Sequence, residues 1–209
     1  MKTHFNLANS SYDLIANALN DDGYIVLPKF LPDELTEQLY QHVSTIPEQE
    51  FKVAGIGRNQ SFQLNDKIRS DRTRWLSSFD PVEQAYLSIM DDCRQQLNQQ
   101  LFLGLRDYEA HFAHYKEGSY YQRHVDAFHG RSNRLVTTVF YLNPDWNQQD
   151  GGELIIYHND SSNTVCRVLP EFGTMVVFLS EQFPHEVLTS MRDRYSIAGW
   201  FRGDMAHVN

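Results

Sequence analysis

Cysteine is almost absent: Cys93 and Cys166 are the only two, far apart and with no CxxC spacing. A disulfide framework is therefore excluded as the organising principle, and a reducing compartment, the cytoplasm, is expected. No apolar run approaches the roughly 20 residues needed to span a bilayer. The opening MKTHFNLANSSYDLIANALNDD has no apolar core of signal-peptide length. Positive charge is also short, with 18 Lys and Arg against 27 Asp and Glu and a net charge of −9. A general nucleic-acid binder should be basic, so that class is set aside, as is a membrane protein. Internal repeats and low-complexity tracts are missing too. What remains is 209 residues, 41% hydrophobic and 22% charged, the composition of one globular domain with a well-buried core.

The chain divides into helical and extended halves. Ser10-Ser11 can cap a helix to about Asn20, with Leu14, Ile15, Ala18 and Leu19 as its apolar stripe and Gly23 as its stop. Tyr24-Ile25-Val26-Leu27 reads as a strand. Pro32 opens a second helix carrying Leu35, Leu39 and Val43, and Asp80-Pro81 caps a long one to about Leu101. From residue 108 onward the pattern is short strands between turn signals, at 108–115, 119–125, 134–142, 153–157, 164–169, 174–179, 184–188 and 194–202. Eight such strands behind N-terminal helices predict a mainly β fold, a double-stranded β-helix or jelly roll of the cupin kind. The expected organisation is a single domain over 1–209. Its parts are helices at 10–46, a loop at about 51–78, a support helix at 80–101 and a jelly-roll core at 108–202.

The 51–78 stretch is unlike its surroundings. It has two early glycines, no sustained period, and Lys52, Arg58, Lys67, Arg69, Arg72 and Arg74 against few acids. A solvated loop or plain hairpin would account for it. So would a lid, since long loops of this kind often carry binding function.

The chemistry centres on His124-Val125-Asp126. In extended backbone, positions i and i+2 share a face, so His124 and Asp126 can reach one point. A third ligand must come from another strand, and His185 in QFPHEV is the candidate. Two His and one carboxylate form the facial triad of non-haem Fe(II) oxygenases, with other coordination positions open to a 2-oxo acid and dioxygen. A surface His-Asp pair beside an unrelated structural histidine is the plainer alternative. Arg194 lies nine residues past His185 and can hold a carboxylate through two parallel hydrogen bonds. It shares a strand face with Ser196, Ala198 and Trp200, so Trp200 joins the cofactor-binding candidates. Tyr141 sits on a face with Leu135, Thr137 and Val139, and its hydroxyl can reach the same carboxylate. His111 and His114, three apart, fall on opposite strand faces. His129 lies in a loop close to the triad. His4, His42, His158 and His207 have no evident companions. All of these read as structural or exposed.

The text HYKEGSYYQRHVD, RLVTTVFYLNPDW, GGELIIY, PHEV and RYSIAGWF, with KIRSDRTRWL upstream, resembles the 2-oxoglutarate/Fe(II)-dependent prolyl hydroxylases of the hypoxia-inducible-factor type and their bacterial relatives. The resemblance implies oxidative decarboxylation of 2-oxoglutarate to succinate and CO2, coupled to hydroxylation of a C–H bond. The implied cofactors are Fe(II), 2-oxoglutarate and O2, with ascorbate. It implies metal ligation by His124, Asp126 and His185, with Arg194 and Tyr141 on the cosubstrate and Tyr115 and Tyr121 near the iron. Arg134, Asp71 and Trp75 match its substrate-side positions, the 51–78 stretch its substrate-covering loop, and a proline in a protein, such as a translation elongation factor, its substrate. The AFHGRSN loop before Arg134 departs from the better-known members. The same reaction on a free amino acid or metabolite, and a non-enzymatic metal or 2-oxoglutarate sensor on the same barrel, stay open as alternatives.

Overall fold

The computed structural model describes residues 5, 7–54, 68–127, 132–159 and 162–204. Three α-helices and eleven strands are found among them. In chain order they are α1 (Asn9–Asp21), β1 (Tyr24–Leu27), α2 (Asp33–Thr45), β2 (Lys52–Val53), β3 (Arg72–Trp75), α3 (Pro81–Leu101), β4 (Asp107–Tyr115), β5 (Tyr121–His124), β6 (Arg134–Tyr141), β7 (Leu154–Tyr157), β8 (Thr164–Val168), β9 (Met175–Leu179), β10 (His185–Val187) and β11 (Arg194–Arg202). Local chemistry sets most boundaries. The Asp80 carboxylate accepts from the backbone N–H groups of Val82 and Glu83, with Pro81 in the first turn of α3. Gly23 at φ 79° turns the chain out of α1, its N–H closing on the Ala18 carbonyl. The expected cap at Ser10-Ser11 is not made: α1 begins at Asn9, and no side chain caps it.

The strands form two antiparallel sheets. One has seven strands in the order β1-β9-β6-β11-β4-β3-β2, the other four in the order β5-β10-β7-β8. This is the jelly roll. Strand alternation divides the large sheet's side chains between two cores. Phe112, Phe140, Ile197 and Phe201 pack outward under the helices with Ile15, Leu35, Leu39, Tyr86 and Ile89. Tyr115, Tyr141, Val176 and Phe178 point inward to meet Leu154, Ile156 and Val187 of the small sheet. Thr137, Val139 and Tyr141 share the inner face as expected, but Leu135 does not. The β6–β11 pairing shifts between Phe201 and Arg202, and Leu135 turns to the helix-side core.

The 51–78 stretch is partly strand. Its ends, β2 and β3, pair with each other, and β3 pairs with β4 at the edge of the large sheet. Arg58 and Lys67 lie outside the described residues, as does the body of the expected lid. His4, His129 and His207 also lie outside them.

Candidate active site

His124 ends β5 and His185 begins β10, and the two are directly paired across these neighbouring strands. Sequence distance is thereby cancelled, and their rings lie 4.3 Å apart. Each imidazole donates from Nδ1 to a carbonyl two residues back, His124 to Gln122 at 2.8 Å and His185 to Phe183 at 2.9 Å. That fixes the tautomer and leaves both Nε2 lone pairs directed inward. Asp126, just past β5, places Oδ1 3.7 Å from His124 Nε2 and Oδ2 3.7 Å from His185 Nε2. These separations are too long for hydrogen bonds, and the three ligand atoms lie within 4.8 Å of one another, the spacing of groups that converge on a shared ion. Thr137 of the facing sheet donates to Asp126 Oδ2 at 2.8 Å and is itself 2.9 Å from Ser180 Oγ.

The charges agree with this reading. Burial, helped by His185, pushes the His124 pKa down to about 3 and so keeps the ring neutral. Burial works against an ionised Asp126, but the charge that a proton on His185, or to a lesser extent on His124, would bring more than offsets it and holds the carboxyl below its usual range. A neutral His124 nitrogen and an ionised carboxylate are donors of the kind a divalent ion requires, and an N/O set of this composition suits iron among others. Tyr121 stacks on the His124 ring with centroids 3.5 Å apart. The Arg69 guanidinium lies 4.2 Å above Tyr121, held by two bonds to the fully buried Asp71 at 2.8 and 2.6 Å.

Deeper between the sheets lies Arg194, 1% exposed. Its Nε donates to the Gly152 carbonyl at 2.9 Å, and Nη1 reaches Ser196 Oγ at 3.5 Å. Gly152, at φ 68°, gives it room, since a Cβ there would come within 3.0 Å of Arg194 Cδ. No carboxylate among the described residues pairs with this guanidinium. The Tyr141 hydroxyl beside it is sealed from solvent; Arg194 acts on it against the effect of burial, but no hydrogen bond of ordinary geometry forms among the described residues, and the rings of Tyr115 and Tyr141 lie 4.9 and 5.0 Å from Cζ. A buried cation without a counter-anion and a buried hydroxyl without a well-formed hydrogen bond are both costly. A bound dicarboxylate would satisfy the two together. The site therefore fits both groups that its chemistry calls for.

The other expected positions are distributed around this centre. Trp200 is buried on β11 beside Asp126; its indole N–H helps to lower the Asp126 pKa, although no hydrogen bond of ordinary geometry forms. Arg134 lies 3.5 Å over the Trp200 ring and donates twice to Glu109, at 3.0 and 2.8 Å. Trp75, 54% exposed, meets His111 edge-on at 5.1 Å. Three cations of the basic stretch are neutralised internally: Arg69 by Asp71, Arg72 by Glu48, and Arg74 by Glu50 and Glu83. His42 is not companionless. Its Nε2 lies 2.7 Å from Glu83 Oε1, with Asp80 nearby. That trio is a second set spaced for a metal, but Glu83 already accepts from Arg74 and the Ser77 N–H, so it reads as an internal ion-pair network. Sequence reasoning missed Thr137, Ser180 and Gly152 as supports. Their alternation and glycine signals were present, but their partners lie on other strands.

Residues 110–202 match the family model described as the 2OG-Fe(II) oxygenase superfamily. The crystal structure of a Pseudomonas putida prolyl-4-hydroxylase superposes with a TM-score of 0.83 at 36% identity, covering 92% of this chain and 99% of that one. This chain belongs to the prolyl hydroxylases of the 2-oxoglutarate/Fe(II) oxygenase superfamily. Within that family, a prolyl hydroxylase from Trichoplax adhaerens, solved with a hypoxia-inducible-factor oxygen-degradation-domain peptide, also superposes with a TM-score of 0.83. It is 28% identical, over 93% of this chain and 91% of that one. Human Egl nine homolog 1 is 27% identical over 198 residues, 90% of this chain but 46% of its own length. The chain thus spans about half the length of the curated relatives it matches first.

Proposed function

We propose that this chain is an Fe(II)- and 2-oxoglutarate-dependent dioxygenase that hydroxylates a prolyl residue in a polypeptide, with release of succinate and CO2. One observation carries the reading. Between the two sheets, two imidazoles and a carboxylate spaced for a single ion adjoin a buried arginine without a counter-anion and a buried tyrosine hydroxyl without a hydrogen bond of ordinary geometry, as far as the described residues go. His124, Asp126 and His185 would hold Fe(II), and Arg194 with Tyr141 would hold the distal carboxylate of 2-oxoglutarate. Metal and cosubstrate, when bound with O2, supply the oxidising chemistry.

The protein's own part is placement and exclusion of water. Gln122 and Phe183 carbonyls orient the two imidazoles, and Thr137 orients the carboxylate. The Arg69–Asp71 pair backs Tyr121, which backs His124. Phe178 meets the His185 ring edge-on at 4.9 Å and is buried in one apolar cluster with Leu154, Ile156 and Val176. No general base appears among the site residues, and none is needed for this reaction class.

The substrate side rests on the cluster of Trp75, His111, Trp200 and Arg134 and on the family. A relative solved with a bound peptide supports a polypeptide over a free amino acid. A translation elongation factor is one candidate. We place the protein in the cytoplasm as a single domain. Both cysteines are free, and no helix among the described residues is long and apolar enough to cross a membrane. The test is mass spectrometry of lysate proteins incubated with enzyme, Fe(II), 2-oxoglutarate and oxygen-18 gas. A prolyl residue heavier by one oxygen-18 atom is expected. Label found only on a small metabolite would overturn the polypeptide assignment.

A further inference from the structure

Among the described residues, His111 is the one inward-facing imidazole that the site described above leaves unused. It lies on β4, opposite Ala198 of β11 and opposite Trp75 of β3. Tyr115 and Ala113, on the same strand face, line the space between the sheets. Its ring is 6% exposed and packs between two indoles, 5.1 Å from Trp75 and 5.3 Å from Trp200. Nδ1 is sealed from solvent without a partner, and no hydrogen bond joins either ring nitrogen to a described residue. A buried polar group left unpaired is disfavoured. A histidine used only for packing would be better replaced by leucine or methionine. Trp200, against which the ring packs, shares a strand face with Ser196 and Arg194 of the site.

We propose that His111 is a substrate-binding residue, donating an imidazole N–H to a backbone carbonyl beside the target proline. This rests on the prolyl-polypeptide reading above. The chemistry of proline selects the donor. An X-Pro peptide unit has no N–H, so that unit offers only its carbonyl, an acceptor. A complementary surface must therefore supply donors. The cationic donors nearby are already engaged, Arg134 with Glu109 and Arg69 with Asp71. His111 holds a neutral N–H that no described residue accepts. Burial first, then the nearby Arg69 and Arg134, pushes its pKa down to about 3, so the ring stays neutral at working pH. A neutral donor also avoids adding charge beside the metal site. The solvent-open Trp75 indole beside it offers a flat apolar face that suits a pyrrolidine ring on its way inward.

The experiment uses synthetic peptides with one central proline and every residue type in turn before it. Wild type and His111→Leu, His111→Gln and His111→Asn are compared on the best of them. Leucine fills similar space and removes the donor. His111→Leu should raise KM for the peptide roughly 10- to 100-fold, the effect of leaving a buried carbonyl unpaired, and by more than it lowers kcat. Its Kd for 2-oxoglutarate, measured by calorimetry on the Mn(II)-loaded protein, should stay within about twofold of wild type. Its melting temperature should match or exceed wild type, because an unsatisfied polar group has gone. One of the two amides, each of which restores an N–H donor, should recover much of the loss. A KM for His111→Leu within threefold of wild type overturns the proposal. Equal weakening of 2-oxoglutarate binding, or a fall in melting temperature that tracks the KM change, overturns it as well, by placing His111 in the cosubstrate pocket or in the fold. If wild type modifies no peptide at all, the prolyl reading itself has failed and this assignment goes with it.

Discussion

Arg194→Lys separates charge from geometry in the proposed cosubstrate pocket. The native guanidinium is 1% exposed, anchored through Nε to the Gly152 carbonyl at 2.9 Å, with its outer nitrogens turned into a space that holds no carboxylate of the described residues. Lysine keeps the positive charge. It cannot bridge both oxygens of a carboxylate, and it cannot also satisfy the Gly152 carbonyl. One charge-assisted hydrogen bond to the ligand is lost, worth about 1.5–3 kcal/mol. At about 1.4 kcal/mol per decade, the Kd for 2-oxoglutarate should rise by roughly 10- to 150-fold. Metal affinity should hardly change, because no metal-ligand candidate touches Arg194. The assay is calorimetric titration of 2-oxoglutarate into Mn(II)-loaded protein, preceded by a Mn(II) titration. A 2-oxoglutarate Kd within threefold of wild type would refute the reasoning. So would a parallel loss of Mn(II) binding, which would mean that Arg194 holds the fold of the whole site.

Three further outcomes are expected. Tyr141→Phe removes a buried hydroxyl without a hydrogen bond of ordinary geometry among the described residues, so it should weaken 2-oxoglutarate binding by about 0.5–3 kcal/mol while leaving the empty protein as stable as wild type or more so in a thermal melt. Glu83→Ala strips the buried acceptor from Arg74, His42 and the Ser77 N–H, so chemical denaturation should show a loss of about 3–5 kcal/mol, the cost of breaking a buried ion pair. His111 titrates near 6.5 when unfolded but at about 3 when folded, through burial. The unfolded state therefore binds the extra proton, and stability falls as pH drops from about 6.5 towards 3. His111→Leu should reduce that acid-side slope by up to about 1.4 kcal/mol per pH unit in metal-free protein, and identical slopes in the two proteins would contradict the buried, unpaired ring.

The strands of the jelly roll were legible because each carries its own alternation between glycine, proline and asparagine turns. All eight expected after residue 108 are present within two residues of their boundaries. The short edge strands were not, for a physical reason. In Arg72-Thr73-Arg74-Trp75 the outward positions are arginines whose partners, Glu48, Glu50 and Glu83, come from other segments. Nothing local marks the run as half-buried. The same limit applied to His42, whose bond to Glu83 spans two helices. His124 and Asp126 could be joined from spacing alone, whereas their meeting with His185 depends on β5 and β10 being neighbours. His111 is three residues from His114, a spacing that puts the two on opposite strand faces and hides any shared role. Counted by twos from Tyr115, it falls on the inner face.

The most direct test of the metal centre is an anaerobic Fe(II) titration of the wild-type chain and of His124→Ala, Asp126→Ala and His185→Ala, each shown by circular dichroism to be folded. One Fe(II) per chain is expected for wild type, with binding lost or weakened by orders of magnitude in every variant. If any of the three still binds one Fe(II) with wild-type affinity, that residue is not a ligand, and the site proposed between β5 and β10 is wrong.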